Sequence, residues 1–356
     1  MANITPSKRK TYEEESDASC EVVAVQPVGI MDHVSLVDAE FLKNIKGDIG
    51  GSARIDASEV KELLSSVDEF SSKAGGSASN TARGLADGFD VRCSIVGAVG
   101  DDEWGAMFLK SMKRSGVETR DIRKLPGSTG RCVCLVGSDA QRTMRPNMVG
   151  AARLAASDLK ESDFKGAKWA IFNGYAFYGD NLLEEGAKLA VQAGCKVALH
   201  LASFEVVRTF HKKFLEVLSS GLVSAVFANE DETVEMARHS DPKYAFEGTE
   251  EPTVQLGIDL MAASCELVVC TVGERGCIVK KAGEEQFEAP AEPRVKVMDT
   301  TGAGDLFSSG FIYGLLRDYP LRRCAEIGNY TGAAVVQACL LPARPCLSFP
   351  SFIFGS

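Results

Sequence analysis

The chain has 356 residues, of which 45% are hydrophobic and 25% charged, and its formal net charge is -10. This length suffices for one large core, and the acidic balance excludes an extended nucleic-acid surface, which needs a clustered basic face. No apolar run approaches the roughly 20 residues of a membrane-spanning helix. The 11 cysteines show no metal-type spacing, which favours a reducing compartment. We therefore expect a cytoplasmic protein that binds neither nucleic acid nor membrane.

Residues 1–20 are polar and charged, and they are predicted to form a disordered tail. Lys8, Arg9 and Lys10 are the candidate nuclear address in this tail, although three basic residues are more typical of a solvated segment. The tail has no apolar stretch of the kind found in secretory signals.

From residue 21 onward, apolar runs alternate with amphipathic stretches. The predicted buried strands cover residues 22–28, 93–99, 169–172, 197–201, 225–228 and 267–272. The predicted helices lie near residues 79–88, 103–115, 181–193, 204–219, 231–238 and 255–264. This alternation predicts an α/β fold with a mostly parallel sheet and helices on both faces. The more polar segments 33–73 and 131–150 are predicted to form a small lid over one edge.

Several cysteines belong to these apolar runs. Cys93, Cys270 and Cys277 fall in predicted core strands. Cys132 and Cys134 lie two residues apart in an apolar run, which places them on one face of a strand rather than in a zinc knuckle.

The segment 297–305 reads VMDTTGAGD and carries the strongest functional signal. Apolar residues after it repeat at helical spacing and predict a helix that begins near Gly302, capped by Thr300 or Thr301. The first-turn amides, from Gly302 through Ala303 to Gly304, have no partner within the helix and form a candidate anion site. In the same turn, Asp305 is the candidate base for a hydroxyl proton. An ordinary capped helix with an acidic first turn is the structural alternative.

Two further segments present polar groups at strand ends or helix starts. Asp32 follows the first predicted strand, where a carboxylate faces the ligand crevice of such a sheet and can accept hydrogen bonds from sugar hydroxyls. An aspartate that only caps or forms a turn is the more common arrangement for this residue taken alone. The sequence GGSASNTA at 75–82 opens a predicted helix. Gly75 and Gly76 would let a ligand approach the backbone, and Asn80 can both donate to and accept from a hydroxyl.

The string DTTGAGD resembles the C-terminal signature of the ribokinase (PfkB) family of sugar and nucleoside kinases, and GGSxxNTA resembles its first signature. The resemblance covers roughly residues 21–337. It implies a three-layer ribokinase-like fold with a small β lid, and transfer of a phosphoryl group from ATP with Mg²⁺. It also supports Asp32, Gly75, Gly76 and Asn80 as the sugar site.

The resemblance assigns further residues to the nucleotide. Asn229 and Glu232 are similar to the family's NxxE motif near magnesium and phosphate, with Glu232 acting through water. The turn at Gly273 and Gly276, after Thr271, is similar to one that lies against the nucleotide phosphates; a tight hairpin is the structural alternative. Thr301 is expected beside ATP, and the family also implies a monovalent cation such as K⁺ near Asp299 and Thr301.

Arg142 lies in the predicted lid, where it could reach the transferred phosphate. An exposed hairpin arginine of little energetic weight is the more common arrangement.

The segments 37–42 and 173–175 resemble the adenosine-kinase branch of the family and favour a nucleoside as phosphoryl acceptor. Met31, Phe41 and Tyr175 are the candidates for stacking on a base, although any hydrophobic core needs such residues too. A free sugar such as ribose or fructose stays open as the acceptor. So does a catalytically silent, nucleotide-binding role. The sequence fits a monomer or a homodimer.

The C-terminal part departs from the family pattern. A helix is predicted from about residue 322 to 337, after which the family would continue with a strand and a helix beside the adenine. Here Pro342, Pro345 and Pro350 fall within nine residues, which excludes a regular helix or central strand. Residues 338–356 are therefore predicted to form an atypical tail, and we expect ATP binding to suffer if the replaced element packs on the sheet.

Overall fold

A computed structural model describes residues 19–138, 141–245, 248–293, 295–297 and 300–337. Its strands are β1 (Val22–Gln26), β2 (Ile30–Leu36), β3 (Ser71–Gly75), β4 (Cys93–Val99), β5 (Ile122–Lys124), β6 (Gly130–Val136), β7 (Arg142–Asn147), β8 (Trp169–Asn173), β9 (Lys196–His200), β10 (Ala225–Asn229), β11 (Leu267–Thr271), β12 (Cys277–Lys281) and β13 (Phe287–Ala289). Its α-helices are α1 (Ala39–Lys43), α2 (Ala57–Ser66), α3 (Ser77–Phe89), α4 (Glu103–Arg114), α5 (Leu182–Gln192), α6 (Phe204–Ser219), α7 (Glu230–Arg238), α8 (Val254–Ala262), α9 (Ala303–Leu316) and α10 (Leu321–Val336). Among the described residues, no helix has the length and apolar character needed to span a bilayer.

The larger sheet has nine strands in the order β13-β12-β11-β10-β9-β8-β1-β4-β5. Its strands run parallel except for β12 and β13, which pair antiparallel. Helices α5 to α8 cover one face and α3, α4, α9 and α10 the other. Because side chains alternate along a strand, Val23 joins the first core and Val22 the second. The predicted three-layer α/β fold is confirmed.

The predicted strands agree with the observed ones within two residues, since continuous apolar runs mark parallel strands buried on both faces. The predicted capping of α9 is wrong. Neither Thr300 nor Thr301 caps this helix; the N-cap is Gly302, whose φ of 77° is left-handed and which has no side chain to contribute. Glycine adopts this conformation without steric cost, so the chain can turn into the helix at this position.

The segments predicted as a lid contribute a separate four-stranded sheet in the order β3-β2-β6-β7. One face carries Val133 and Leu135, which pack against Leu42 of α1 and Val60 of α2. The opposite face carries Asp32, whose register partner on β6 is Cys132. The second sheet therefore has an apolar side under its own helices and a side that carries the candidate acceptor carboxylate.

Candidate active site

The site is organised by two helices that pack closely side by side. A Cβ atom on Gly84 of α3 would lie only 2.4 Å from Ser309 Oγ of α9, so this approach requires glycine. Ser309 Oγ in turn donates a hydrogen bond to the Thr81 carbonyl oxygen at 3.0 Å. This contact brings together the first turns of two helices that are more than 200 residues apart in the sequence.

The carboxylate of Asp305 is held at both oxygens by the first turn of α3. Ser77 Oγ donates to Oδ1 at 2.7 Å, and Asn80 Nδ2 donates to Oδ2 at 2.8 Å. Burial raises the pKa of Asp305 above its usual value, and these two hydrogen bonds partly offset that rise. The result is a carboxylate with a fixed orientation and increased basicity, as a general base requires.

The start of α9 leaves backbone donor capacity beside this carboxylate. The Ala303 amide already donates to the Thr300 carbonyl oxygen at 3.2 Å, so the predicted group of three free amides is too large. The Gly304 N–H has no acceptor among the described residues, and no atom lies within 4 Å of the place a Gly304 Cβ would occupy. An anion can therefore approach this amide at the positive end of the helix dipole.

Asp32 and the paired glycines fit together in a way that the sequence did not show. A Cβ on Gly75 would lie 2.0 Å from Asp32 Oδ2, so the Asp32 carboxylate fills the space that a side chain would take. Gly76 has a φ of 93°, and a Cβ there would collide with the side chain of Gln26. The glycines therefore make room for protein side chains of the site, in addition to any ligand.

Positive charges surround these carboxylates. Burial raises the pKa of Asp32 to about 6, against the lowering effect of Lys73, Arg83 and Arg142. Arg142 also lowers the pKa of Asp305, which places its charge within the site rather than on an isolated hairpin.

Sequence reasoning missed Ser77, Lys73 and Arg83 as site residues. Arg83 Nη2 donates to the Oδ1 atom of Asn80, so it orients the amide whose nitrogen binds Asp305. A signal was present in the sequence: residues 77, 80 and 83 recur every three positions and lie on one face of α3.

Asn229 and Glu232 form a closed capping box at the start of α7. The Asn229 backbone and side-chain amides donate to the two carboxylate oxygens of Glu232 at 2.9 and 3.1 Å. Glu232 is 6% exposed, and burial raises its pKa to about 7. Because both oxygens already accept hydrogen bonds, the arrangement suits an influence on magnesium through water better than direct ligation.

The ends of β10 and β11 place Asn229 beside Thr271, its register partner. The tight hairpin that the sequence offered as the structural alternative is present, because β12 begins at Cys277 and pairs antiparallel with β11. Gly273 has a φ of 59° and open space at its Cβ position, whereas a Cβ on Gly276 would lie 2.1 Å from the Ala289 carbonyl oxygen. Gly273 is thus open to a ligand, while Gly276 serves close backbone packing.

The remaining predicted residues have different outcomes. Met31 is 1% exposed and lies in the core, because it alternates with Asp32 along β2, and Phe41 packs in the cluster beneath the second sheet. Their prediction as base-stacking residues is wrong.

Tyr175 lies near the site: its hydroxyl hydrogen-bonds with Ser203, and burial raises its pKa above the ordinary range. Thr301 is half-buried just before α9, and Asp299 lies outside the described residues.

A cavity of about 140 Å³ lies between Glu292, Pro293 and Val295 on one side and α10 on the other, where Tyr330, Ala334 and Gln337 line it. It is close to the start of α9, because a Cβ on Gly332 would lie 3.5 Å from the Ala303 carbonyl oxygen. A second cavity of about 180 Å³, beside Trp169 and Leu267, lies at the amino ends of β8 and β11, away from these groups.

Comparisons with known proteins agree with this geometry. The family model of pfkB family carbohydrate kinases matches residues 49–339. The chain is 26% identical to adenosine kinase 2 of Arabidopsis thaliana, over 89% of this chain and 94% of that protein. It is also 26% identical to an uncharacterised sugar kinase of Archaeoglobus fulgidus, over 69% of this chain and 92% of that protein.

Among solved structures, adenosine kinase from Sinorhizobium meliloti superposes with a TM-score of 0.82 at 28% identity, covering 93% of this chain and 97% of that one. The family match spans most of the chain, so the chain belongs to the pfkB family of carbohydrate kinases, and it is a kinase with a ribokinase-like fold.

Proposed function

We propose that this kinase transfers the γ-phosphoryl group of ATP to a hydroxymethyl group of a nucleoside of the adenosine type. One observation carries the proposal: Asp305, held by Ser77 and Asn80, lies in the same helical turn as the open amide of Gly304. A base and an anion-binding donor are thus fixed next to each other, as phosphoryl transfer to an alcohol requires.

In this reaction the acceptor oxygen attacks the γ-phosphorus, the bond to the bridging oxygen breaks, and ADP leaves. The carboxylate of Asp305 accepts the proton of the acceptor hydroxyl. The Gly304 amide stabilises negative charge on the transferred group. Asp32 accepts hydrogen bonds from neighbouring hydroxyls, and Asn80 keeps Asp305 oriented. The second sheet acts as the lid that excludes water, which would otherwise accept the phosphoryl group.

The side chains near the start of α7 fit magnesium as the companion of ATP. They offer oxygen ligands, and a magnesium ion retains several waters, through which Glu232 would hold it. When bound, the ion neutralises charge on the phosphates. Thr271 and Gly273 are proposed to contact the phosphates, and Thr301 the ATP or a monovalent cation; the participation of Asp299 stays a prediction.

The cavity beside α10 is our proposed site for the adenine of ATP. Its lining by Tyr330 and Ala334 offers apolar surface, and its position next to the start of α9 allows the phosphates to reach Gly304.

The face of the second sheet that carries Asp32 favours a nucleoside over a free sugar. Val34, Cys134 and Met144 form an apolar cluster there. Such a surface suits the flat, apolar faces of a base, whereas a free sugar presents hydroxyls throughout. The similarity to an adenosine kinase of 28% identity points the same way.

All nine cysteines of the described residues are free thiols, which supports a reducing, cytoplasmic location.

The proposal is tested by ADP release with ATP and magnesium against adenosine, inosine, guanosine, cytidine, ribose and fructose. We expect turnover that requires a nucleoside, with adenosine preferred. Turnover with ribose or fructose and with no nucleoside would show that the acceptor is a free sugar and not a nucleoside. A folded protein that releases no ADP with any of the six would contradict the proposed acceptor class and support a nucleotide-binding role without catalysis.

A further inference from the structure

Two thiols lie beside Asp32 on the second sheet, and the proposed reaction does not use them. Cys132 is the register partner of Asp32, and Cys134 follows on the same face of β6. Their Sγ atoms are 3.7 Å apart, and neither forms a disulfide. One ligand atom from each of the three residues lies within 4.8 Å of the others, an arrangement that occurs once among the described residues.

We propose that Asp32, Cys132 and Cys134 form a binding site for a thiophilic divalent cation of the Zn²⁺ class, and that the bound ion excludes the acceptor from Asp32. The second half rests on the proposed function, in which Asp32 binds acceptor hydroxyls. The first half is independent of it.

The distances match the coordination that such an ion prefers. With zinc–sulfur bonds of about 2.3 Å at the tetrahedral angle, two thiolates lie about 3.8 Å apart. The observed separation of the Cys132 and Cys134 sulfurs is 3.7 Å, so they already span one edge of the tetrahedron. Asp32 supplies a third ligand, and the fourth position stays available for a water molecule.

The donor set also determines which cations are excluded. Magnesium prefers six oxygen ligands in octahedral geometry, so the magnesium that accompanies ATP does not compete for a site with two thiolates.

A disulfide fits the same residues less well. Alternate residues of an extended strand have Cα atoms about 6.6 Å apart, near the upper limit for a disulfide.

The surroundings of the three residues add nothing to the affinity for a cation, which depends on the bonds of the three ligands alone. Cys132 and Cys134 are 6% and 2% exposed, and apolar neighbours such as Val34 exclude water around them. The charges of Lys73 and Arg142 act on Asp32 and oppose a cation. Two thiolates and one carboxylate are therefore all needed to hold the ion.

Binding is measured on the full chain with Cd²⁺, through the ultraviolet charge-transfer band of cadmium thiolates, in the presence of magnesium and a non-chelating reductant. The variant Cys132→Ala/Cys134→Ala is compared with Cys20→Ala/Cys93→Ala. The latter removes two thiols that interact electrostatically at the amino end of β4 in the large sheet, so each variant keeps nine of the 11 cysteines. Circular dichroism verifies that both variants fold.

We expect the wild type and the control to bind one Cd²⁺ that the Cys132/Cys134 variant does not bind. Asp32→Asn, which keeps both thiols, should weaken that binding by about tenfold or more, because one of three ligands is lost. Equal Cd²⁺ binding by the wild type and the Cys132/Cys134 variant would overturn the site. So would absence of the band in the reduced wild type.

Competition with the acceptor is measured with Zn²⁺ in the ADP-release assay. Zn²⁺ should raise the acceptor KM and leave the KM of ATP unchanged, and a chelator should reverse the effect. Metal binding without any change in the acceptor KM would show that the bound ion does not keep the acceptor from Asp32. Inhibition that a reductant reverses and a chelator does not would show that a disulfide, and not a bound metal, causes the inhibition. If no acceptor supports turnover, the proposed function fails while the Cd²⁺ result still decides the site.

Discussion

The starts of α7 and α9 lie near each other, since the charge of Asp305 raises the pKa of Glu232, yet they use their backbone donors differently. In α7, the Asn229 side chain accepts from the Glu232 amide at 2.8 Å, and Glu232 accepts from Asn229 in return. In α9, the cap is a glycine without a side chain, and the Gly304 amide has no acceptor among the described residues. The closed start can act on a ligand only through side chains and water, whereas the open start offers the backbone itself.

Because of this difference, we expect the start of α7 to contribute mainly to stability and the start of α9 mainly to activity. A capping box satisfies amides that would otherwise lack partners and stabilises its helix by about 0.5–2 kcal/mol. The open start of α9 forgoes that stabilisation and keeps a backbone donor, which we propose binds the transferred phosphate. Substitutions at the two positions should therefore affect folding and turnover in opposite proportions.

The largest expected effect is at the base. Asp305→Asn should lower kcat by roughly 10²-fold or more, because a positioned base contributes about that much. Its matched control is Asp318→Asn in the exposed turn at the other end of α9, where the left-handed backbone accepts asparagine. Both variants should melt like the wild type. Near wild-type turnover of Asp305→Asn would remove Asp305 from the mechanism.

A second substitution tests the open amide. Gly304→Ala meets no atom within 4 Å and replaces a helical glycine, so it should raise the stability by about 0.4–1 kcal/mol. The added methyl group lies where the phosphoryl group must approach, and kcat/KM should fall about tenfold or more. Thermal melting and ADP release are measured on the same sample. A variant that gains stability and keeps full activity would show that the phosphate does not use this amide.

The acceptor site should show its own pH dependence. The pKa of Asp32 is raised to about 6, so its carboxylate loses its charge as the pH falls through that value. If the ionised form binds the acceptor, the acceptor KM should rise below that pH, by up to about tenfold per pH unit. Asp32→Asn should have a high acceptor KM at every pH. A wild-type KM that is flat between about pH 5 and 8 would contradict the role of Asp32.

The adenine site should respond to a change in volume. Ala334→Phe fills part of the cavity beside α10 and should raise the KM of ATP several-fold without changing the acceptor KM. Ala263→Phe, at the exposed C-cap of α8 and away from this cavity, is the comparison for a general effect of added bulk. An unchanged KM of ATP in Ala334→Phe would place the adenine elsewhere.

The smallest effect concerns the closed start of α7. Burial raises the pKa of Glu232 from 4.5 to about 7, so its contribution to folding is complete below the lower value and is lost as the pH rises through the upper one. Glu232→Gln cannot lose a proton. Its Tm relative to the wild type should therefore increase from about pH 5 to about pH 8.

Glu285→Gln, at an exposed position between β12 and β13, should show no such trend. A Tm difference for Glu232→Gln that is independent of pH would contradict the shifted pKa.

The layers of the fold follow from the sequence because they depend on short-range patterns. The run at Cys93–Val99 is apolar except for Ser94 and is observed as β4 with the predicted bounds, buried at every position, as expected for a strand covered on both faces. The position of Met31 could also have been inferred. It alternates with Asp32 along β2, so if one faces the site the other must face the core.

The contacts that orient the candidate catalytic groups cannot be inferred from short-range sequence patterns. Ser77 and Asn80 are 228 and 225 residues from Asp305, and only the packing of α3 against α9 brings them together. Neither local periodicity nor helix propensity carries that information. The same holds for His211 and His239, which lack paired spacing but stack with ring centroids 3.9 Å apart.

We propose that the protein transfers the phosphoryl group to the oxygen of a hydroxymethyl group, with Asp305 and the start of α9 at the reacting centre. The most direct measurement is the phosphorus–proton coupling in the NMR spectrum of the product formed from ATP and adenosine. We expect one phosphate coupled to the two protons of the hydroxymethyl carbon, formed in equal amount with ADP. Coupling to a single ring proton, or ADP with free phosphate and no phosphorylated nucleoside, would contradict it.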